Sequence, residues 1–497
     1  MTIPKEVKLV VKKLKESGFE AYIVGGCVRD FLLARQSEGK GGRGGEPKDW
    51  DITTNARPEE IQKVFPESFY ENKFLTVTVK TNSKKEELKE IEITTYRLEG
   101  QYSDSRHPDQ VSFAKTLGED LARRDFTINA IALDIPTSGA KNKIIDIFNG
   151  QEDLENKIIR TVGKPEERFS EDALRMMRAV RFSTTLGFKI EPVTFEAIKK
   201  NAEKLKSISG ERIRDEFVKI IMSERADKGV DLLRETGLLK FISPELLEGY
   251  EVGQNKHHIY DCYWHSLLSL KYAAEKGFNQ NVRLSALFHD VGKPRAKRGN
   301  GADSTFYNHE VIGAKVTNQI LERLKFPKKD IEKVVKLVRY HLFYYNVDEV
   351  TDSSVRRLVR NVGPENMEEL LQVRQADRIG SGVPKAEPYK LRHLKYIVDK
   401  VAQDPISAKM LKITGNDLME ILDIKPGPRI GQILDILLGL VLLDPKNNKK
   451  ELLAKEAEAL GKLSEAELQK RAGDAKKERE KTETKRDEMT KQKYWVT

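Results

Sequence analysis

The sequence predicts an α+β chain: a strand-bearing N-terminal head with a mixed or antiparallel sheet, followed by an all-α remainder. Two observations carry this. Short alternating or apolar segments (AYIV, FLTVTVK, EIEITTYR, KIID) all lie before residue 150. From Gly150 onward the apolar residues recur with helical period almost throughout. Strands and helices segregated in this way mark an α+β region joined to a helical one, rather than alternating βα units. At 497 residues there is room for several domains.

The composition narrows the class. With 38% hydrophobic and 33% charged residues, the core must come from amphipathic helices with charged outer faces. A net charge of +10 favours a polyanionic partner such as nucleic acid. Cys27 and Cys262 are far apart and match no disulfide or metal spacing, which fits a reducing, cytoplasmic setting. The Lys-rich N-terminal segment lacks the apolar core of a signal peptide. The longest apolar run, Ile433–Leu443, contains Asp435 and is too short to span a bilayer. A buried helix is expected there, and no membrane or protein partner is indicated.

Taken in order, residues 1–17 read as a helix ending near Gly18. Ala21–Val24 reads as a strand, Gly25–Gly26 as a break that lets backbone N–H groups approach a phosphate, and a helix begins near Val28. Gln36–Lys48 is Gly-rich but lacks the G-x-x-x-x-G-K-[ST] spacing, so it is expected to be a surface insertion. The next strand carries Asp49 and Asp51 on one face, because residues two apart in a strand point the same way. Adjacent carboxylates repel unless a cation lies between them, and Mg²⁺ is held by one or two carboxylates plus substrate phosphates. A helix from Pro58 follows, then strands over Phe74–Lys80 and Glu90–Arg97. In the second, Glu92 is a candidate third carboxylate, with a solvated strand glutamate as the alternative. Arg123 and Arg124 either clamp phosphates bidentately or are surface charges on a helix. Lys143–Gly150 reads as a strand and turn.

In the helical part, Ser170–Gly187 is expected to be one helix with Ser170 as N-cap. Asp172 and Arg175, three apart, would share a face that Arg178 continues. A carboxylate beside a guanidinium matches the amino donor and ring-nitrogen acceptor that cytosine and adenine both present. Uracil and guanine would leave those groups unpaired. The alternative is an ion pair on a solvated helix. Gly210–Ile221 places Glu211, Arg212 and Glu216 at salt-bridging spacing, for which a bracing role is expected. Six of the eight histidines lie between His257 and His341. His265, the His289–Asp290 dipeptide, His309, His341 and Asp377 fall in helical segments, and imidazoles with carboxylates suit divalent transition metals. Gly415–Asp417 reads as a turn and helix cap, and Lys425–Arg429 as a sharp break between two helices. The stretch from about Ser464 is a solvated helix or disordered tail.

The ordered set GGCVRD, DWDITT, EIEITTYR, RRDFTINA, EDALRMMRAVRF and ERIRDEF resembles the bacterial class II tRNA nucleotidyltransferases, the CCA-adding enzymes and related poly(A) polymerases. It spans roughly residues 5–220. His265, His289, Asp290 and Asp377 match the HD pattern carried by one version of that family. The insertion at Gln36–Pro47 is longer than the connection relatives usually have. The resemblance implies a polymerase-beta-like head over 1–150, a helical neck over 151–222, a body with an HD domain over 223–400, a helical tRNA-binding region over 401–463 and a charged tail over 464–497. It implies that Asp49 and Asp51 hold Mg²⁺, with Glu92 as ligand or base. Gly25, Gly26 and Arg29 would bind the triphosphate, with Arg123, Arg124, Asp125 and Asn129 helping to place ribose and phosphates. Asp172 and Arg175 would read the base, supported by Arg178. The implied reaction is attack of a tRNA 3′-hydroxyl on the α-phosphorus of CTP or ATP, with A-only, CC-only or poly(A) addition as alternatives. The HD residues imply a divalent transition metal and either a phosphohydrolase or a retained scaffold.

Overall fold

The computed structural model describes residues 3–37, 49–71, 76–99, 111–137, 140–254, 259–347, 349–402, 408 and 411–496. Helix α1 (Lys5–Glu16) buries Val7, Val10, Val11 and Leu14, an i, i+3, i+4, i+7 stripe. Strand β1 (Ala21–Val24) leads into α2 (Gly26–Ser37). Helix α2 thus starts two residues earlier than expected, because Gly25 takes the turn alone with φ +83°. The expected surface insertion lies, from residue 38 to 48, outside the described residues.

The head continues with β2 (Asp51–Thr54), α3 (Pro58–Val64), β3 (Ser68–Glu71), β4 (Thr76–Lys80), β5 (Glu90–Thr95), β6 (Arg97–Glu99), β7 (Val111–Phe113), α4 (Leu117–Ala122), β8 (Ile131–Asp134) and β9 (Lys143–Asp146). Seven strands form one mixed sheet in the order β3-β4-β5-β2-β1-β8-β9. Within it β2 and β5 are parallel and the other neighbours antiparallel. Asp49 precedes β2 rather than lying in it. The strand expected from Phe74 begins at Thr76, residues 74 and 75 being outside the described set. The expected Glu90–Arg97 strand divides at Tyr96, which is fully buried and donates its hydroxyl to Glu20 at 2.9 Å.

Beyond the head come α5 (Gly150–Asn156), β10 (Ile158–Ile159), α6 (Pro165–Glu171), α7 (Leu174–Leu186), β11 (Lys189–Ile190), α8 (Pro192–Asn201) and α9 (Gly210–Ile221). The single helix expected over Ser170–Gly187 is two helices. Pro165, at a first-turn position where its missing N–H costs nothing, starts the earlier one. Ser170 lies inside it and donates to Glu166 O at 2.7 Å, so Ser170 is not an N-cap. The chain breaks at Asp172, extended at φ −140°, whose carboxylate accepts the Leu174 N–H at 3.0 Å. An aspartate side chain competes with the helix ladder for nearby N–H groups. Asp172 therefore stands at the break and does not share a helix face with Arg175.

Two compact units are present: residues Met1–His341 with Gln372–Pro384, and Leu342–Leu371 with Lys385–Thr497. In the first, helices Cys262–Glu275, Gln280–Phe288, His309–Arg323 and Lys328–Tyr340 pack on one another. In the second, helix Pro428–Leu443 buries Ile433, Leu437 and Leu438, as the apolar run foretold. Helices Gly415–Leu422 and Pro428–Leu443 flank the expected break, and the cap of the first is Thr414, which accepts from Asp417 N–H. The C-terminal stretch is a docked helix, Glu465–Tyr494: Leu468 and Ala472 are buried, and Lys493 Nζ bonds Asp399 at 2.7 Å. Among the described residues no helix is long and apolar enough to cross a membrane.

Candidate active site

The site is built on the parallel pair β2 and β5. Their register sets Asp51 directly beside Glu92, which places both side chains on one face of the sheet. Burial pushes the Asp51 carboxyl above its ordinary range, and the charge of Asp49 adds to that, while Arg124 opposes it. Glu92 is likewise raised, first by burial and then by Asp51 and Asp49. Asp51 and Glu92 thus lie in an acidic group to which Asp49 adds charge, and its oxygen donors suit a hard cation such as Mg²⁺.

Gly25 lies against this group. A Cβ built on it would stand 3.0 Å from Arg124 NH1 and 3.3 Å from Asp51 Oδ2. Arg124 and Asp51 thus converge over a bare backbone turn. Neighbouring Cys27 is buried; burial and then the charge of Asp51 push its thiol up to about 12, so it is inert.

A network of bonds runs from the head into the neck. Arg29 donates to Asn129 Oδ1 at 2.8 Å and to Asp30 at 2.8 Å. Asn129 donates to Asp125 Oδ1 at 3.0 Å. Arg178 grips Asp125 Oδ2 through Nε at 2.8 Å and NH2 at 2.6 Å. Burial opposes the Asp125 charge, but Arg178 and the Asn129 bond outweigh it and hold the carboxyl well below its usual range. The Phe182 ring is faced by Arg29 at 5.0 Å, Arg178 at 5.5 Å and Arg181 at 4.0 Å, within the reach of cation–π attraction. Burial lowers Arg181 to about 10.

Asp172 and Arg175 are joined by one backbone bond, Arg175 N–H to Asp172 O at 3.0 Å. Arg212 NH2 bonds Asp172 Oδ2 at 2.7 Å. Arg175 bonds Glu171 Oε2 at 2.6 Å and the Arg123 carbonyl at 3.1 Å. Arg212 therefore braces the proposed base-reading carboxylate, and Glu216 braces α7 through Arg181 at 3.1 Å. Sequence reasoning assigned Arg212 a general structural role and passed over Asp120, Glu171, Arg181 and Phe182. Two of these were signalled by helical spacing: Asp120 three and four residues before the arginine pair, and Glu171 four before Arg175.

A second cluster gathers His265, His289, Asp290, His309, His341 and Asp377, all buried. His265 Nε2 is 3.1 Å from Asp290 Oδ2 and 3.3 Å from Asp377 Oδ1. His289 Nε2 is 3.3 Å from Asp290 Oδ2 and 3.6 Å from Asp377 Oδ1. His309 and His341 reach Asp290 Oδ1 at 3.3 and 3.6 Å. Two triads able to hold a cation, His265–His289–Asp290 and Asp290–His309–His341, share Asp290. Burial disfavours charge on His289, yet Asp290 and Asp377 outweigh it and raise the imidazole to about 10. The carboxylates thus demand positive charge at this point, and nitrogen with oxygen donors suits a divalent metal. The structure joins His309 and His341, expected only as members of the histidine-rich helical region, to the four residues that match the HD pattern.

Three stretches of the chain match known families. The Poly A polymerase head domain model matches residues 21–160. The model described as "Probable RNA and SrmB- binding site of polymerase A" matches 187–249, and tRNA nucleotidyltransferase domain 2 matches 309–457. A CCA-adding enzyme of Ligilactobacillus salivarius is 35% identical over 92% of this chain and 98% of its own length. The chain belongs to the CCA-adding enzyme family. A CCA-adding enzyme of Lactobacillus helveticus is 42% identical over 55% of the chain and 65% of its own length. The crystal structure of the Bacillus stearothermophilus CCA-adding enzyme in complex with CTP covers 92% of the chain and 97% of its own, at 29% identity and a TM-score of 0.58. The Thermotoga maritima CCA-adding enzyme complexed with tRNA, at 20% identity and a TM-score of 0.52, shares the fold over 92% of the chain.

Proposed function

We propose that Asp49, Asp51 and Glu92 form the catalytic centre of CCA addition to the 3′ end of tRNA, and that Gly25, Gly26, Arg29, Arg123 and Arg124 place the triphosphate of CTP or ATP. The observation that carries this is the register of Asp51 against Glu92, with Gly25 and Arg124 converging on Asp51. The oxygen of the RNA 3′-hydroxyl forms a bond to the α-phosphorus, the bond to the β-phosphate oxygen breaks, and pyrophosphate leaves while the hydroxyl proton is released. Asp49 and Asp51, with Glu92 beside them, would hold Mg²⁺, which would supply charge stabilisation to the attacking and leaving oxygens. The chain's own contribution is positioning and preorganised charge. The Asp125–Asn129 network fixes Arg29 and Arg178 before the nucleotide arrives. Asp172 accepts from the exocyclic amine of cytosine or adenine while Arg175 donates to the ring nitrogen, and Arg178 holds the helix to the head through Asp125. Asp51→Ala tests the assignment: nucleotide addition is lost while the chain still melts cooperatively, and full activity in this variant refutes it.

The His/Asp cluster is a divalent-metal site of the HD type. The sharing of Asp290 by two triads supports this reading. Elemental analysis of the purified chain, with His289→Ala as control, is expected to find bound transition metal that the variant lacks. Hydrolysis of a model phosphodiester, abolished by Asp290→Ala, distinguishes an active phosphohydrolase from a scaffold.

A further inference from the structure

Asp120 is a fully buried carboxylate in the short helix α4, and no step above uses it. It is tied on three sides. Thr53, two residues after Asp51 on β2 and on the same face, donates its hydroxyl to Asp120 Oδ2 at 3.2 Å. Arg123 donates to Oδ1 through Nε at 3.0 Å and NH2 at 2.8 Å. Arg124 NH2 lies 3.5 Å from Oδ2. Burial pushes against the Asp120 charge, but Arg123 and Arg124, with the Arg97 N–H among its bonds, outweigh it and hold the carboxyl below its ordinary range. It is a buried anion kept charged by the groups it orders.

We infer that Asp120 is a positioning residue that fixes Arg124 against the strand bearing Asp51, so that the guanidinium stands over Gly25 ready for the triphosphate. Two observations carry this. Arg124 NH1 and Asp51 Oδ2 flank the same point above Gly25. Asp120 joins Arg124 to β2 through Thr53, whose single hydroxyl proton is shared between Asp120 Oδ2 and Thr94 O on β5, each 3.2 Å away. One side of Arg124 is held; its Nε is buried with no hydrogen-bond partner among the described residues. A guanidinium held to Asp120 through NH2 keeps NH1 beside the Gly25 turn, where it can meet an anionic ligand. The inference rests on the assignment of Arg124 to the triphosphate.

The test is CTP binding to the full chain, measured by calorimetry in EDTA, for wild type, Asp120→Asn, Arg124→Gln and the double variant, with melting curves for each. Arg124→Gln and Asp120→Asn are each expected to weaken CTP about ten-fold, and the double variant to bind within about two-fold of Arg124→Gln, because a residue acting through a partner adds nothing once the partner is gone. The CTP-to-UTP preference stays unchanged in Asp120→Asn; a fall in that preference would route its effect through Arg123 and Arg175 and overturn the inference. Should Arg124→Gln bind as wild type, the Arg124 assignment itself fails. Should Arg124→Gln weaken CTP while Asp120→Asn does not, or the two effects multiply, the inference fails and the assignment stands. If Asp120→Asn does not fold, Thr53→Val carries the test: a several-fold weakening that disappears in the Arg124→Gln background supports the inference, and an equal loss in both backgrounds overturns it.

Discussion

Replacing Gly25 by alanine separates two costs that the turn combines. At φ +83° an L side chain meets its own backbone, which costs about 1–2 kcal/mol. The new methyl also stands 3.0 Å from Arg124 NH1 and 3.3 Å from Asp51 Oδ2. Either the guanidinium or the carboxylate must shift by a few tenths of an ångström, and misplacing a group by about 1 Å costs on the order of 10²-fold in rate. The smaller shift here should cost roughly ten-fold, about 1.4 kcal/mol in the barrier. Gly18 supplies the control: its φ is +89° and a Cβ there meets nothing within 4 Å. Both variants should lower the unfolding midpoint to a similar extent, while only Gly25→Ala lowers the rate of CTP incorporation. Equal rates in the two variants would refute the view that Gly25 serves the site rather than the turn.

Other outcomes follow from the same geometry. Arg212→Gln removes the 2.7 Å bond to Asp172; a hydrogen bond to a charged group is worth about 1.5–3 kcal/mol, so the preference for CTP over UTP should fall by about ten-fold or more, read from single-nucleotide incorporation. Asp51 and Glu92 both have raised carboxyls, so the metal-free folded chain binds more protons at these two groups than the unfolded chain. Their contribution to stability is present at low pH and lost as pH rises through the raised values. In EDTA, Asp51→Asn should therefore melt higher than wild type near neutral pH, and a lower melting point would contradict this. The same shift makes protons compete with Mg²⁺, so the Mg²⁺ concentration for half-maximal activity should rise as pH falls.

The head was legible because strand alternation is a short-range signal. It singled out Asp51 and Glu92, but it placed Asp49 in a strand that begins only at Asp51, and it could not supply the register that seats Glu92 beside Asp51, which depends on strands some forty residues apart. The break at Asp172 was misread because Ser170 and the acids after it imitate a helix start, whereas Pro165 had already begun one. Arg212 and Asp172 meet across two helices, and no spacing rule links residues forty apart. The His265, His289–Asp290 and Asp377 pattern was readable as a motif. His309 and His341 were seen as histidines in helices, and a lone helical histidine carries no sign of what its ring faces until the helices pack.

The central claim is tested most directly with the purified full-length chain and tRNA lacking its CCA end, supplied with CTP alone, ATP alone and both together. Incorporation of C with CTP, and completion by A when ATP is also present, is the expected result. A chain that extends the RNA with A but incorporates no C would contradict the account.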